Sequence, residues 1–160
     1  MTSTETVHAS GIIPASPANI YAAWLDGEHH TAMTGGAATC EPGVGGRFTA
    51  WDGYIEGKNL ELAQDRRIVQ SWRSSEFPKQ AADSRLIVLF EKVTDGTRVT
   101  IVHTEIPAGQ GKSYESGWDD HYLAPMKKHF AAKNKGAKKQ AVKKKPVKKK
   151  PAKKQAAKKR

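Results

Sequence analysis

Histidines, a row of aromatic side chains and a lysine array are the features of this sequence whose types and spacing can do chemistry. His103 and Glu105 follow Val99 and Ile101 at a period of two, which places these side chains on one face of a strand. His121 lies one position from a helical row, Tyr114, Trp118, Tyr122, Met126 and Phe130, spaced four apart. Two histidines facing each other across a pocket can take up and return a proton. The pocket candidates are therefore Trp72, His103, Tyr114, Trp118, His121, Tyr122 and Met126, with Gln70 as a further polar point. Together with Trp24 and Phe90, the same side chains also read as ordinary core. There is no nucleophile elbow, no paired Cys/His motif and no phosphate loop. Gly35-Gly36 and Gly45-Gly46 lack both the spacing and the Lys-Ser/Thr of such a loop and read as turns. Binding is thus expected rather than catalysis, with no cofactor. His29, His30 and Cys40 match no common zinc spacing, and a closed site takes four ligands. The two histidines read as solvated loop residues next to a turn, and no metal is expected.

The charge is unevenly spread. The 160 residues carry 27 Lys+Arg against 16 Asp+Glu, a net of +11. Residues 133–160 hold 15 of the cations and no acid, which leaves residues 1–132 with 12 cations against 16 acids, a net of −4. From Ala137 the tail repeats in pentads that present Lys138, Lys139, Lys143, Lys144, Lys145, Lys148, Lys149, Lys150, Lys153, Lys154, Lys158, Lys159 and Arg160. A segment with so little apolar surface and so much self-repulsion is expected to be disordered on its own, and Pro146 and Pro151 interrupt any long helix. Its composition resembles the tails of linker histones and bacterial histone-like proteins. Lysine is a hydrated point charge that contacts phosphates without reading bases, so DNA or RNA is the expected partner, bound by counterion release. Anionic lipid is the rival. The tail lacks an apolar or lipidated second anchor, so stable membrane insertion is not expected.

One cysteine excludes an intrachain disulfide, and the N-terminus lacks the basic and apolar regions of a signal peptide. No apolar run approaches the roughly 18 residues of a membrane span. A cytoplasmic, nucleoid-associated location is expected.

The elements that must position these residues follow from the pattern. A first strand covers 5–13. Ser16 caps a helix with Pro17 in its first position and Ile20, Tyr21, Trp24 and Leu25 on its buried face. A second helical turn covers Gly27 to Met33. Strands follow at 47–52, 54–63, 67–74, 84–93 and 97–106, with Asp52-Gly53 and Asp95-Gly96 as hairpin signals and 86–90 as a central strand. A long helix starts near Ser113, and Pro125 should kink it and free the carbonyl of His121. The layout is α+β, an antiparallel sheet packed on one long helix. It gives one domain at 1–132 and a Lys/Ala/Pro-rich tail at 133–160.

These residues resemble a known family. The run Ala15 to Leu25, the turn from His30 through Met33-Thr34-Gly35-Gly36, and Gly46-Arg47-Phe48 with Asp52-Gly53 look like its opening. Arg67 to Trp72 and Gly96 to Thr100 look like its middle, and Gly117-Trp118-Asp119-Asp120-His121-Tyr122-Leu123-Ala124-Pro125-Met126-Lys127 is the most specific part. Together they resemble the START-like (SRPBCC, helix-grip) superfamily, in the branch homologous to the C-terminal domain of the ATPase activator of heat-shock protein 90. The resemblance implies a curved antiparallel sheet of six or seven strands gripping the C-terminal helix, often around an apolar cavity. Lipid carriers, cyclases and co-chaperones share that fold, so it does not choose among them. Three readings follow: a START-like domain tethered to nucleic acid by its tail, a small apolar-ligand binding or cyclase-like protein whose tail is incidental, and a chaperone-associated module.

Overall fold

The computed structural model of the chain describes residues 3–144. Its sheet has seven strands in the order β1-β7-β6-β5-β4-β3-β2, and every neighbouring pair is antiparallel. The strands are β1 (Thr4–Ile13), β2 (Thr39–Cys40), β3 (Arg47–Ala50), β4 (Ile55–Ala63), β5 (Arg67–Ser74), β6 (Ser84–Val93) and β7 (Gly96–Pro107). Two short helices, α1 (Pro17–Trp24) and α2 (Gly27–Thr34), join β1 to β2. After β7 the chain enters α3 (Gly111–Trp118), a π-helical turn over Asp119–Leu123, and α4 (Ala124–Lys144). The expected α+β layout and the grip of the sheet on a C-terminal helix are both present. The two-residue edge strand β2 is an addition to the expected set.

Local chemistry explains the element ends. The Ser16 hydroxyl accepts the Asn19 N–H at 3.2 Å, and Pro17 takes the first helical position of α1. Asp26 caps α2 by accepting the His29 N–H at 3.0 Å, and Gly35 ends that helix with φ +88°. The start of α3 has no side-chain cap of its own. The Glu5 carboxylate on β1 supplies it by accepting Gly109 N–H at 3.0 Å and Gly111 N–H at 2.8 Å. Those bonds favour the ionised carboxylate and lower its pKa.

The core lies between the inner face of the sheet and the helices. Ile68 and Trp72 of β5, Leu86, Val88 and Phe90 of β6, and Val99 and Ile101 of β7 are buried there against Trp118, Tyr122, Leu123, Met126 and Phe130. The helical row behaves as its spacing requires, with Tyr114 half-buried at its start. β6 is interior in the sheet order, as expected, but Leu89 on its outer face is 36 % exposed, so that face meets solvent.

Two expectations need correction. Glu105 does not share the face of His103: it is exposed and has φ +61°. Between the pairs Glu5↔Ile106 and Val7↔His103, β7 has one more residue than β1, and this bulge inverts the alternation. The second correction concerns the end of the chain. α4 continues to Lys144, past Lys133, because Ala, Lys and Gln favour helix and the next proline after Pro125 is Pro146. Lys138, Lys139, Lys143 and Lys144 therefore fall on helix. Lys145, Lys148, Lys149, Lys150, Lys153, Lys154, Lys158, Lys159 and Arg160 lie outside the described residues.

Candidate functional site

The π-helical turn at Asp119–Leu123 organises the site. Pro125 has no N–H to continue an α-helical ladder, and the turn ahead of it widens so that Ala124 N–H bonds the Asp119 carbonyl. The expected kink thus takes the form of a wider turn. It leaves Trp118 and Tyr122 buried and Asp120 and His121 exposed.

Behind this turn lie two buried histidines, each fully engaged. His103 is 0 % exposed. Its Nδ1 accepts the Trp118 indole N–H at 3.1 Å, so the proton sits on Nε2, which meets Ser84 Oγ at 2.7 Å. The Ser84 hydroxyl donates in turn to the Trp72 carbonyl at 2.9 Å. Burial lowers the His103 pKa to about 3 and keeps the ring neutral. His30 is also buried, contrary to its expected place in a solvated loop. The α1–α2 connection turns it inward, where Nδ1–H donates to the Trp24 carbonyl at 2.9 Å and Nε2 accepts the Tyr122 hydroxyl at 2.8 Å. Desolvation lowers its pKa, and desolvation raises that of Tyr122. His29 stays exposed and pairs with Asp26. Cys40 Sγ approaches the Glu41 carbonyl at 3.8 Å. Among the described residues, no group of three His, Cys, Asp or Glu side chains could hold a metal ion.

Gln70 is likewise structural. Its Oε1 accepts the Trp24 indole N–H at 3.4 Å, and its Nε2 donates to Asn59 Oδ1 at 2.8 Å. Asn59 donates onward to the carbonyls of Glu41 and Gly43, tying the turn after β2 to the core.

In front of the turn is a groove of about 540 Å³, within the size range of small-molecule sites. Of the pocket candidates, Trp72, Tyr114, Trp118, His121 and Tyr122 line it. His103 and Met126 do not line it and lie in the core behind. The histidine pair therefore does not face across a pocket: His103 is closed off under Trp72, whose ring centre is 4.5 Å away, while His121 is on the surface. Sequence reasoning does not find Trp51, Tyr54, Glu76 and Asp120, which also line it, together with Ile55, Ser113, Ser116 and Gly117. The signal for Trp51 is its place before Asp52-Gly53. The tight turn there puts Trp51 at φ +53° and Asp52 at φ +62°. A bulky residue in this region costs about 1–3 kcal/mol and persists only where its surroundings fix it. Here the indole lies on Gly36, where any Cβ would come within 2.1 Å of the ring, and the Asp52 N–H donates to the Ala37 carbonyl at 2.9 Å. The ring meets His121 edge-on, with centres 5.6 Å apart.

With this geometry in view, relatives can be compared. A family model described as activator of Hsp90 ATPase homolog 1-like protein matches residues 14–131. An activator of 90 kDa heat shock protein ATPase homolog from Dictyostelium discoideum is 30% identical over 135 residues, 82% of this chain and 34% of that protein. Homolog 1 of the same activator from Homo sapiens is 27% identical over 115 residues, 72% of this chain and 34% of that protein. The chain thus spans about a third of the length of the curated relatives it matches. The crystal structure of an HSP90 activator from Plasmodium falciparum superposes with a TM-score of 0.67 at 23% identity, covering 74% of this chain and 91% of that one. The solution structure of the Aha1 dimer from Colwellia psychrerythraea gives 0.68 at 16% identity, over 79% and 96% of the two chains. These last two likenesses bear on the fold alone. On the match over residues 14–131, the chain belongs to the family of activator of Hsp90 ATPase homolog 1-like proteins.

Proposed function

We propose that this chain is a chaperone-associated module that binds an Hsp90-type ATPase. The observation that carries the reading is the extent of the family match, which takes in the helix-grip fold from Pro14, just before α1, through Ala131 of α4. The buried histidines speak against acid/base catalysis as the main activity. Both have all their ring nitrogens occupied, and neither lines the groove. A domain with an acidic balance, whose buried histidines are fully engaged, suits binding better than chemistry. Titration of the full chain into a purified Hsp90-type chaperone by isothermal calorimetry tests the reading. Saturable binding is expected, and absence of heat at every nucleotide state of the chaperone would count against it.

A second activity is favoured by the charge distribution. The 15 cations and no acid of residues 133–160 support sequence-independent binding of DNA or RNA through the C-terminal segment. The two activities are compatible, because the domain and the charge array are separate in sequence. Retention of the full chain on DNA-cellulose, with passage of residues 1–132, is the expected result.

A further inference from the structure

We propose that the aromatic groove is a binding site for an organic cation, of the kind in which a quaternary ammonium is carried on an apolar body. Five of the residues that line it are aromatic, Trp51, Tyr54, Trp72, Tyr114 and Trp118, beside Ile55, Ser113, Ser116 and Gly117. The face of an aromatic ring carries negative potential and attracts a cation within about 6 Å of its centre. Two carboxylates, Glu76 and Asp120, belong to the same lining, which contains no lysine or arginine. Both are exposed, and among the described residues neither takes part in an ion pair. Aromatic rings and carboxylates thus meet in one concave space, which selects against anions.

The hydrogen-bonding groups narrow the class further. The Tyr114 hydroxyl is committed to Gln110 Oε1 at 2.8 Å, and that of Tyr122 to His30. The Trp118 indole N–H is committed to His103. What these residues have left to offer a ligand is ring surface. A quaternary ammonium has no N–H to satisfy and spreads its charge over methyl groups, so it fits a wall of ring faces better than a primary amine does. A neutral apolar ligand of the same shape would gain nothing from Glu76 and Asp120. The strained backbone of Trp51 fits this assignment, since it serves to present a ring at the groove beside His121.

The test uses the full chain and two ligands of one shape, choline and 3,3-dimethyl-1-butanol, at pH 8 and low salt. Binding is read from the indole N–H signals in nitrogen-15 correlated spectra. Choline is expected to move the signals of Trp51 and Trp72 and to bind at least about fivefold more tightly than the alcohol, as a desolvated cation over aromatic rings should. The double variant Glu76→Gln, Asp120→Asn should weaken choline about threefold or more and leave the alcohol unchanged. Both positions are exposed, so an unaltered thermal midpoint is expected and serves as the control for folding. Equal or tighter binding of the alcohol, no response to choline at tens of millimolar, or full choline affinity in the double variant would overturn the assignment.

Discussion

The indole of Trp118 donates to His103 while its ring forms part of the groove wall, so one side chain serves both core and surface. It is only 3 % exposed. Trp118→Ala is expected to destabilise the domain by about 3–5 kcal/mol in urea unfolding, the range for emptying a large aromatic site. His103 acts through pH. Its ordinary pKa is 6.5, and in the fold burial holds it at about 3. Above about pH 6.5 the ring is neutral in both states and contributes no pH dependence. As the pH falls from 6.5 towards 3, the unfolded chain takes up a proton that the fold refuses, so stability drops over that window. His30 shifts in the same direction. Replacing His103 with Gln keeps a donor and an acceptor but removes the titration. The urea midpoint of this variant should therefore fall less steeply between pH 7.5 and 5 than that of the natural chain. Equal slopes would show that His103 is not the source.

At the scale of elements, helix positions are legible from sequence because their signals are local. Ser16-Pro17 starts α1, and the four-residue aromatic spacing gives the buried face of the last helix. The period of two correctly turns His103 inward. Whether inward means cavity or core is set by Ser84 and Trp118, far away in sequence, and no local pattern carries that. Glu105 is misplaced because a single extra residue in a bulge reverses every later side chain, and nothing in the composition of β7 marks it. Trp51 is missed because its ring position depends on a left-handed backbone and on the approach of Gly36 from another element. Close approach also sets a prediction within the sheet. A Cβ on Gly57 of β4 would lie 1.9 Å from the Ser71 carbonyl oxygen of β5, a backbone atom that cannot step aside. Gly57→Ala should cost about 3 kcal/mol, the upper end of the overpacking range, as measured by denaturant unfolding. A loss below about 0.5 kcal/mol would mean that the two strands are not so closely paired.

At the scale of the whole molecule, residues 1–132 carry a net charge of −4 and residues 133–160 carry 15 cations and no acid. Among the described residues the buried core all precedes Ala131, so removal of 133–160 should leave the thermal midpoint unchanged. Binding of the full chain to duplex DNA should weaken steeply with salt. Engagement of about 6–10 phosphates gives a slope of log K on log salt near −5 to −9, with little dependence on sequence. Binding retained by residues 1–132, or indifferent to salt, would assign that activity to the wrong part of the chain. The central claim concerns the domain, and the most direct measurement is the ATP hydrolysis rate of a purified Hsp90-type chaperone titrated with the full chain. We expect the rate to rise saturably and the rise to persist with residues 1–132 alone. A rate that does not change at chain concentrations well above those of the chaperone would contradict the account.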